Sequence, residues 1–161
     1  MYKAYLSLGS NMGDRAANIG RAIAELGKRG LRITRRSSLY ETEPVEFVDQ
    51  PWFLNSAIEL KTDLRAAELL NVVLKVEQAM RRERRVPKGP RVIDIDILLF
   101  DDDVIHTAEL DVPHPRIAER LFVLIPMNEI APEAVHPTLK KNMAQLLAET
   151  DDSSEVRRVS D

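Results

Sequence analysis

Residues 92–100 read VIDIDILLF, branched aliphatic residues alternating with aspartates and ending in two leucines and a phenylalanine. That alternation is the period of a β-strand, with Ile93, Ile95, Ile97 and Leu99 on one side and Asp94 and Asp96 on the other. Working back from this strand, residues 66–80 place Leu69, Val72, Val73, Val76 and Met80 on one helical face, with Thr62 or Asp63 available as the cap. Residues 52–60 and 31–40 each carry strand patterning, and residues 14–28 repeat Ala16, Ile19, Ile23 and Leu26 at helical spacing. Ala4, Leu6 and Leu8 alternate with Tyr5, Ser7 and Gly9 in a first strand. The order β-α-β-β-α-β predicts an α+β fold, the split unit of a ferredoxin-like plait. Its antiparallel sheet carries the helices on one face and leaves the other face for a site.

Downstream, the sequence predicts a short hairpin at 104–112, a Pro-rich turn, an apolar run at 121–126 and a helix at 139–147. From Glu149 the segment ETDDSSEVRRVSD holds only two aliphatic residues, which predicts a flexible, solvated tail. The expected organisation is therefore a single domain, 1–148, followed by a tail, 149–161. A chain of 161 residues can bury about 70% of its unfolded surface, enough for a core without covalent staples. With no cysteine there is no disulfide, thiolate metal site or cysteine nucleophile. No stretch reaches the roughly 20 apolar residues of a membrane span, and residues 1–11 have no cleavable signal pattern. A cytoplasmic monomer without membrane or nucleic-acid partners is expected, the net charge of −3 speaking against a general nucleic-acid binder.

The charge is uneven. Residues 81–91, RRERRVPKGPR, hold six cations and one anion, which leaves −8 for the rest of the chain. A basic loop beside Asp94 and Asp96 suits a polyphosphate that brings metal ions, because arginine makes fixed bidentate phosphate contacts. The two carboxylates are about 6 to 7 Å apart along a strand, a spacing that engages hard cations. Taken alone they are equally a strand edge facing water. On the third strand, Phe53 and Asn55 lie opposite the apolar side formed by Trp52, Leu54, Ile58 and Leu60. Phe53 either stacks on a planar heterocycle or packs under the loop at 41–51, and Asn55 can donate to and accept from such a ring's edge. The Gly-rich phosphate loops of other nucleotide enzymes, G-x-x-x-x-G-K-[ST] and G-x-G-x-x-G, are absent.

Together these residues resemble the 6-hydroxymethyl-7,8-dihydropterin pyrophosphokinase family. The resemblance runs through Gly9-Ser10-Asn11, Tyr40-x-Thr42-x-Pro44, Phe53-Leu54-Asn55, Glu77, Arg82-x-Arg84, Gly89-Pro90-Arg91 to Asp94-x-Asp96, and Pro113-His114 before Arg120-x-Phe122. It implies transfer of pyrophosphate from ATP to the hydroxymethyl group of the pterin, with release of AMP, assisted by two Mg²⁺ ions bound at Asp94 and Asp96. By the same resemblance Phe53 and Phe122 sandwich the pterin, and Thr42, Pro44, Val45, Asn55 and Asp94 line its edge. Arg82 and Arg91 contact the transferring phosphates. Glu77, Arg84, Ile97, His114 and Arg120 fall on the ATP side. The chain departs from many members in carrying Lys88 where tryptophan is common, Arg81 where glycine is common, and Phe53 for a frequent tyrosine. No general base stands out: either Asp96 takes the hydroxyl proton or it leaves without a dedicated base. The residue patterns by themselves also admit a ferredoxin-like nucleic-acid-binding module, or another two-metal nucleotide enzyme on the same plait.

Overall fold

A computed structural model describes residues 1–44, 49–81 and 92–159. Strand β1 (Tyr2–Ser10) leads to helix α1 (Arg15–Lys28), whose cap Asp14 accepts from the Ala17 amide at 3.1 Å. Strands β2 (Arg32–Arg36) and β3 (Tyr40–Thr42) come next, then β4 (Phe53–Thr62), α2 (Ala66–Met80) and β5 (Asp94–Phe100). A hairpin of β6 (Ile105–His106) and β7 (Asp111–Val112) leads into α3 (Leu121–Ile130). The remainder is a hairpin of β8 (Val135–His136) and β9 (Lys141–Asn142), then α4 (Met143–Glu149) and β10 (Val156–Arg158). The cap of α2 is neither Thr62 nor Asp63: the Glu68 carboxylate reaches back to accept from the Arg65 amide at 2.9 Å.

The main sheet is antiparallel throughout, ordered β10-β3-β4-β1-β5, with β2 also pairing β4 beside β3. This is the ferredoxin-like order with one strand divided. The single strand expected at 31–40 breaks at Ser37, because the Ser37 hydroxyl accepts from the Ala57 amide at 2.8 Å and takes the place of a ladder bond. Helices α1 and α2 cover the face bearing Ala4, Leu6, Leu8, Ile58, Leu60, Ile93, Ile95 and Ile97, all buried. Leu99 departs from its expected side. The β1–β5 register shifts between Tyr5 and Leu6, so that Leu6 opposes Ile97 and Tyr5 opposes Leu99, leaving Leu98 as the extra residue. Leu98 and Leu99 both join the opposite core, and Phe100 returns to the first.

That second core takes up part of the face expected to carry the site. The run 121–126 is the start of α3, apolar on nearly every side, and it packs with α4 over Tyr5, Ala57, Leu98 and Leu99. Beneath it, the buried Glu59 carboxylate accepts from Tyr5 Oη and Thr34 Oγ1, each at 2.7 Å, tying β4 to β1 and β2. Among the described residues, the half of the face at the N-terminal ends of β4 and β5 is left as a cleft. Helix α4 begins later than expected, since Asn142 is its cap and the residues before it form β8 and β9. The segment expected to be solvated from Glu149 instead contains β10, whose Val156, Arg157 and Arg158 pair with Thr42, Glu41 and Tyr40. Backbone pairing does not require apolar side chains, which is why composition concealed it.

Candidate active site

Strand register puts the site residues in one row. Gly9 on β1 lies between Asp94 of β5 and Asn55 of β4, and Asn55 in turn opposes Tyr40 of β3. In the neighbouring rows Ser7 opposes Asp96 and Thr42 opposes Phe53. Over them opens a cleft of about 750 Å³, walled on one side by Phe53, Thr42 and Pro44 and on another by His114, Arg116, Arg120 and Phe122. Asn55 is buried, and its Nδ2 donates to Thr42 Oγ1 at 2.7 Å. Gly9 matters because it has no side chain: a Cβ there would stand 2.7 Å from Asn55 Oδ1 and 3.6 Å from Phe53 Cδ1. A strand glycine of this kind lets a neighbouring side chain lie across the backbone.

The β5 end of the cleft is charged. Glu77 on α2 is buried, and its Oε2 accepts the Ile95 amide at 2.8 Å, fixing the strand between Asp94 and Asp96. The same oxygen accepts from Arg81 Nη2 at 3.1 Å, and that nitrogen also reaches Asp94 Oδ1 at 3.3 Å. Arg81 thus places a guanidinium against one of the two aspartates where many relatives were expected to have glycine. Across the cleft, burial and the cations of Arg120 and Arg116 hold the His114 pKa below the usual imidazole value. Its Nδ1 accepts the Arg116 amide at 3.1 Å. Arg120 lies 5.4 Å from the centroid of the Phe122 ring, within cation–π reach.

Of the residues expected from sequence, Thr42, Pro44, Phe53, Asn55, Glu77, Asp94, Asp96, His114, Arg120 and Phe122 all line this cleft. Ile97 does not. It belongs to the core and borders a side pocket of about 240 Å³ that shares Ile95, Asp96 and His114 with the cleft. Val45, Arg82, Arg84 and Arg91, together with Lys88, lie outside the described residues. Sequence reasoning missed the strand-anchoring role of Glu77, the Arg81 contact and the space provided by Gly9, all of which depend on pairing across the sheet. The cleft's hard oxygen donors fit Mg²⁺, since two aspartates share one strand face. Magnesium commonly uses one or two carboxylates and completes its shell with phosphate and water.

Residues 5–132 match the family model described as 7,8-dihydro-6-hydroxymethylpterin-pyrophosphokinase. The chain belongs to that family. Within it, the 2-amino-4-hydroxy-6-hydroxymethyldihydropteridine pyrophosphokinase of Bacillus subtilis (strain 168) is 49% identical over 128 residues, covering 79% of this chain and 77% of the relative. The protein of the same name from Methylorubrum extorquens is 42% identical over 162 residues, 99% of each chain. Among solved structures, the Plasmodium falciparum HPPK-DHPS crystallised with SDX-DHP aligns with a TM-score of 0.74 at 20% identity. That alignment covers 92% of this chain and 43% of the other, and it shows that the fold is shared. Membership makes the chain an enzyme, a pyrophosphokinase of folate biosynthesis. No helix among the described residues is long and apolar enough to cross a membrane.

Proposed function

We propose that this member of the pyrophosphokinase family transfers the β,γ-pyrophosphoryl group of ATP to the hydroxymethyl oxygen of 6-hydroxymethyl-7,8-dihydropterin, with the cleft residues in the following roles. The observation that carries the reading is that one strand row joins Asn55, next to the Phe53 ring, to Asp94 across Gly9. Phe53 and Phe122 stack on the two faces of the pterin, and Asn55, held by Thr42, meets its edge through the amide's second N–H and its carbonyl. Pro44 and Val45 complete that edge. His114 and Arg120 hold ATP from the opposite wall. Arg84 joins them, and Ile97 backs the site from the core. Arg82 and Arg91 neutralise the phosphates as charge builds in the transition state.

Asp94 and Asp96 would hold two Mg²⁺ ions, which supply charge neutralisation to the triphosphate when bound. The pterin hydroxyl oxygen forms a bond to the β-phosphorus as the bond to the bridging oxygen of AMP breaks, in line with it. The hydroxyl proton passes to Asp96 or directly to water. Glu77 keeps both aspartates in register by holding the Ile95 amide, so its contribution is to geometry.

Phosphorus NMR of the protein with Mg²⁺-ATP and 6-hydroxymethyl-7,8-dihydropterin tests the reading, with a control lacking the pterin. AMP and a pterin diphosphate are expected together. ADP, or no pterin-dependent product, overturns it.

A further inference from the structure

The segment after α4 lies beyond residues 5–132, and none of the roles above uses it. Yet it touches the residue next to each of the two aromatic side chains assigned to the pterin. Asp152 Oδ2 accepts from the Leu121 amide at 2.8 Å, satisfying the first turn of α3 one residue before Phe122. Asp152 is itself fixed: its Oδ1 accepts from Ser154 N at 2.9 Å and from Ser154 Oγ at 2.6 Å. Burial opposes its ionisation, but these hydrogen bonds outweigh that cost and hold its pKa below the usual carboxylate range.

Three residues on, the same segment reaches the opposite wall. The Glu155 amide donates to Glu43 Oε1 at 2.8 Å, and the Glu43 amide donates to the Glu155 carbonyl at 3.2 Å. Val156 pairs with Thr42, the residue that orients Asn55. The Arg157 guanidinium lies 4.7 Å from the centroid of the Trp52 ring, immediately before Phe53, and its Nε donates to Glu41 Oε1 at 3.1 Å. Glu41 and the Trp52 carbonyl are both held from the other side by Arg15, at 2.8 and 2.9 Å. The Val159 amide closes the run by donating to the Leu39 carbonyl at 2.9 Å.

We infer that residues 152–159 are a positioning strap that sets the separation of the Phe122 and Phe53 walls, with Asp152 and Arg157 as its two fasteners. The physical reason is the short range of stacking: a heterocycle gains from both rings only when both lie at contact distance, so a small shift of either wall forfeits much of the attraction. Phosphate contacts at the β5 end do not depend on that separation. Arg120, assigned to ATP, directly precedes Leu121 on the Phe122 wall, so the Asp152 fastener bears mainly on the pterin and to a lesser degree on the nucleotide, whereas the Arg157 fastener, on the Phe53 wall, acts on pterin affinity and leaves nucleotide affinity alone. This inference rests on the assignment of Phe53 and Phe122 to the pterin.

The test uses full-length Asp152→Ala and Arg157→Ala, each checked for folding by circular dichroism. Calorimetry measures binding of 6-hydroxymethylpterin and, separately, of Mg²⁺ with α,β-methylene-ATP. Each variant is expected to weaken pterin binding about tenfold, with nucleotide affinity kept within about twofold in Arg157→Ala and lowered by clearly less than the pterin affinity in Asp152→Ala. Asp152→Asn, which retains an acceptor for the Leu121 amide, should lie closer to the wild-type protein. Unchanged pterin affinity in folded variants overturns the strap, as does an equal loss for both ligands, which would mark a general loosening of the fold. Absence of pterin binding by the wild-type protein overturns the assignment of the pterin site itself, and the strap with it.

Discussion

A single methyl group at Gly9 would obstruct the cleft beside Asn55 and Phe53, the proposed pterin pocket. Its Cβ would come within 2.7 Å of Asn55 Oδ1, and Asn55 cannot turn away without giving up its 2.7 Å bond to Thr42. Gly9→Ala is expected to raise the pterin KM roughly tenfold with little change in the KM for ATP, because a misplaced polar group loses its partner in a desolvated site. Steady-state kinetics with each substrate varied in turn check this, and equal effects on both constants would contradict it. Asp96 makes a different prediction. It lies on the cleft side of β5 and lines the cleft, so the apolar packing of the core does not depend on it. Asp96→Asn should lower kcat by about 100-fold or more while leaving the melting temperature close to that of the wild type. A variant that turns over normally at saturating Mg²⁺ would remove Asp96 from the metal site.

The elements depend on polar ties as well as apolar faces. Glu59 makes one of these, joining β1, β2 and β4 through Tyr5 and Thr34, with Arg35 at 3.8 Å. Burial raises the cost of its charge, yet the bonds from Thr34 and Tyr5 hold its pKa below the usual carboxylate value. Burial and the same carboxylate push the Tyr5 phenol well above its ordinary value, so it remains a donor. Glu59→Ala would leave the buried Tyr5 hydroxyl without its acceptor, while the exposed Thr34 turns to water, and the expected loss is about 2 kcal/mol of unfolding free energy. Urea denaturation with an unchanged m-value would measure it, and a loss near zero would mean that water reaches the Tyr5 hydroxyl too. Tyr40 makes a smaller tie of the same kind: its hydroxyl, pushed up to about 12 by burial and by the 2.6 Å bond to Glu129, pins β3 to α3.

For the molecule as a whole, two histidines set how stability varies near neutrality. Burial lowers the pKa of both His114 and His136, with nearby Arg120 and Arg116 adding to the effect at His114. The folded state thus prefers the neutral rings, while the unfolded chain takes up protons near the ordinary value of 6.5. The stability from both is fully present above that pH and is lost as pH falls through the lowered folded values. The depressed carboxylates Glu41, Glu59, Glu129 and Asp152 act only in the more acidic range. Thermal melts without ligand should therefore be level above about pH 7 and decline toward about pH 5.5. His136→Asn, which offers an oxygen to the Thr138 and Leu139 amides that His136 Nδ1 now accepts, should flatten the decline. An undiminished slope in that variant would place the effect elsewhere.

The sequence by itself determined the βαββαβ order, the helix at 66–80 and the turning of Asp94 and Asp96 away from the helices. Each of these follows from a local period, 3.6 residues for a helix and 2 for a strand, that survives without knowledge of any partner. Asn55 and Phe53 could be assigned to one side of a strand for the same reason. What faced them could not be read locally. The Leu98 bulge, the Ser37 break, the space at Gly9, the hold of Glu77 on Ile95 and the pairing of β10 with β3 all join residues distant in the chain. Such contacts depend on register and on backbone hydrogen bonds, which every residue but proline can donate and which therefore leave little mark on composition. Only the tertiary structure decided that a polar, charged segment after Glu149 would fasten both walls of the cleft.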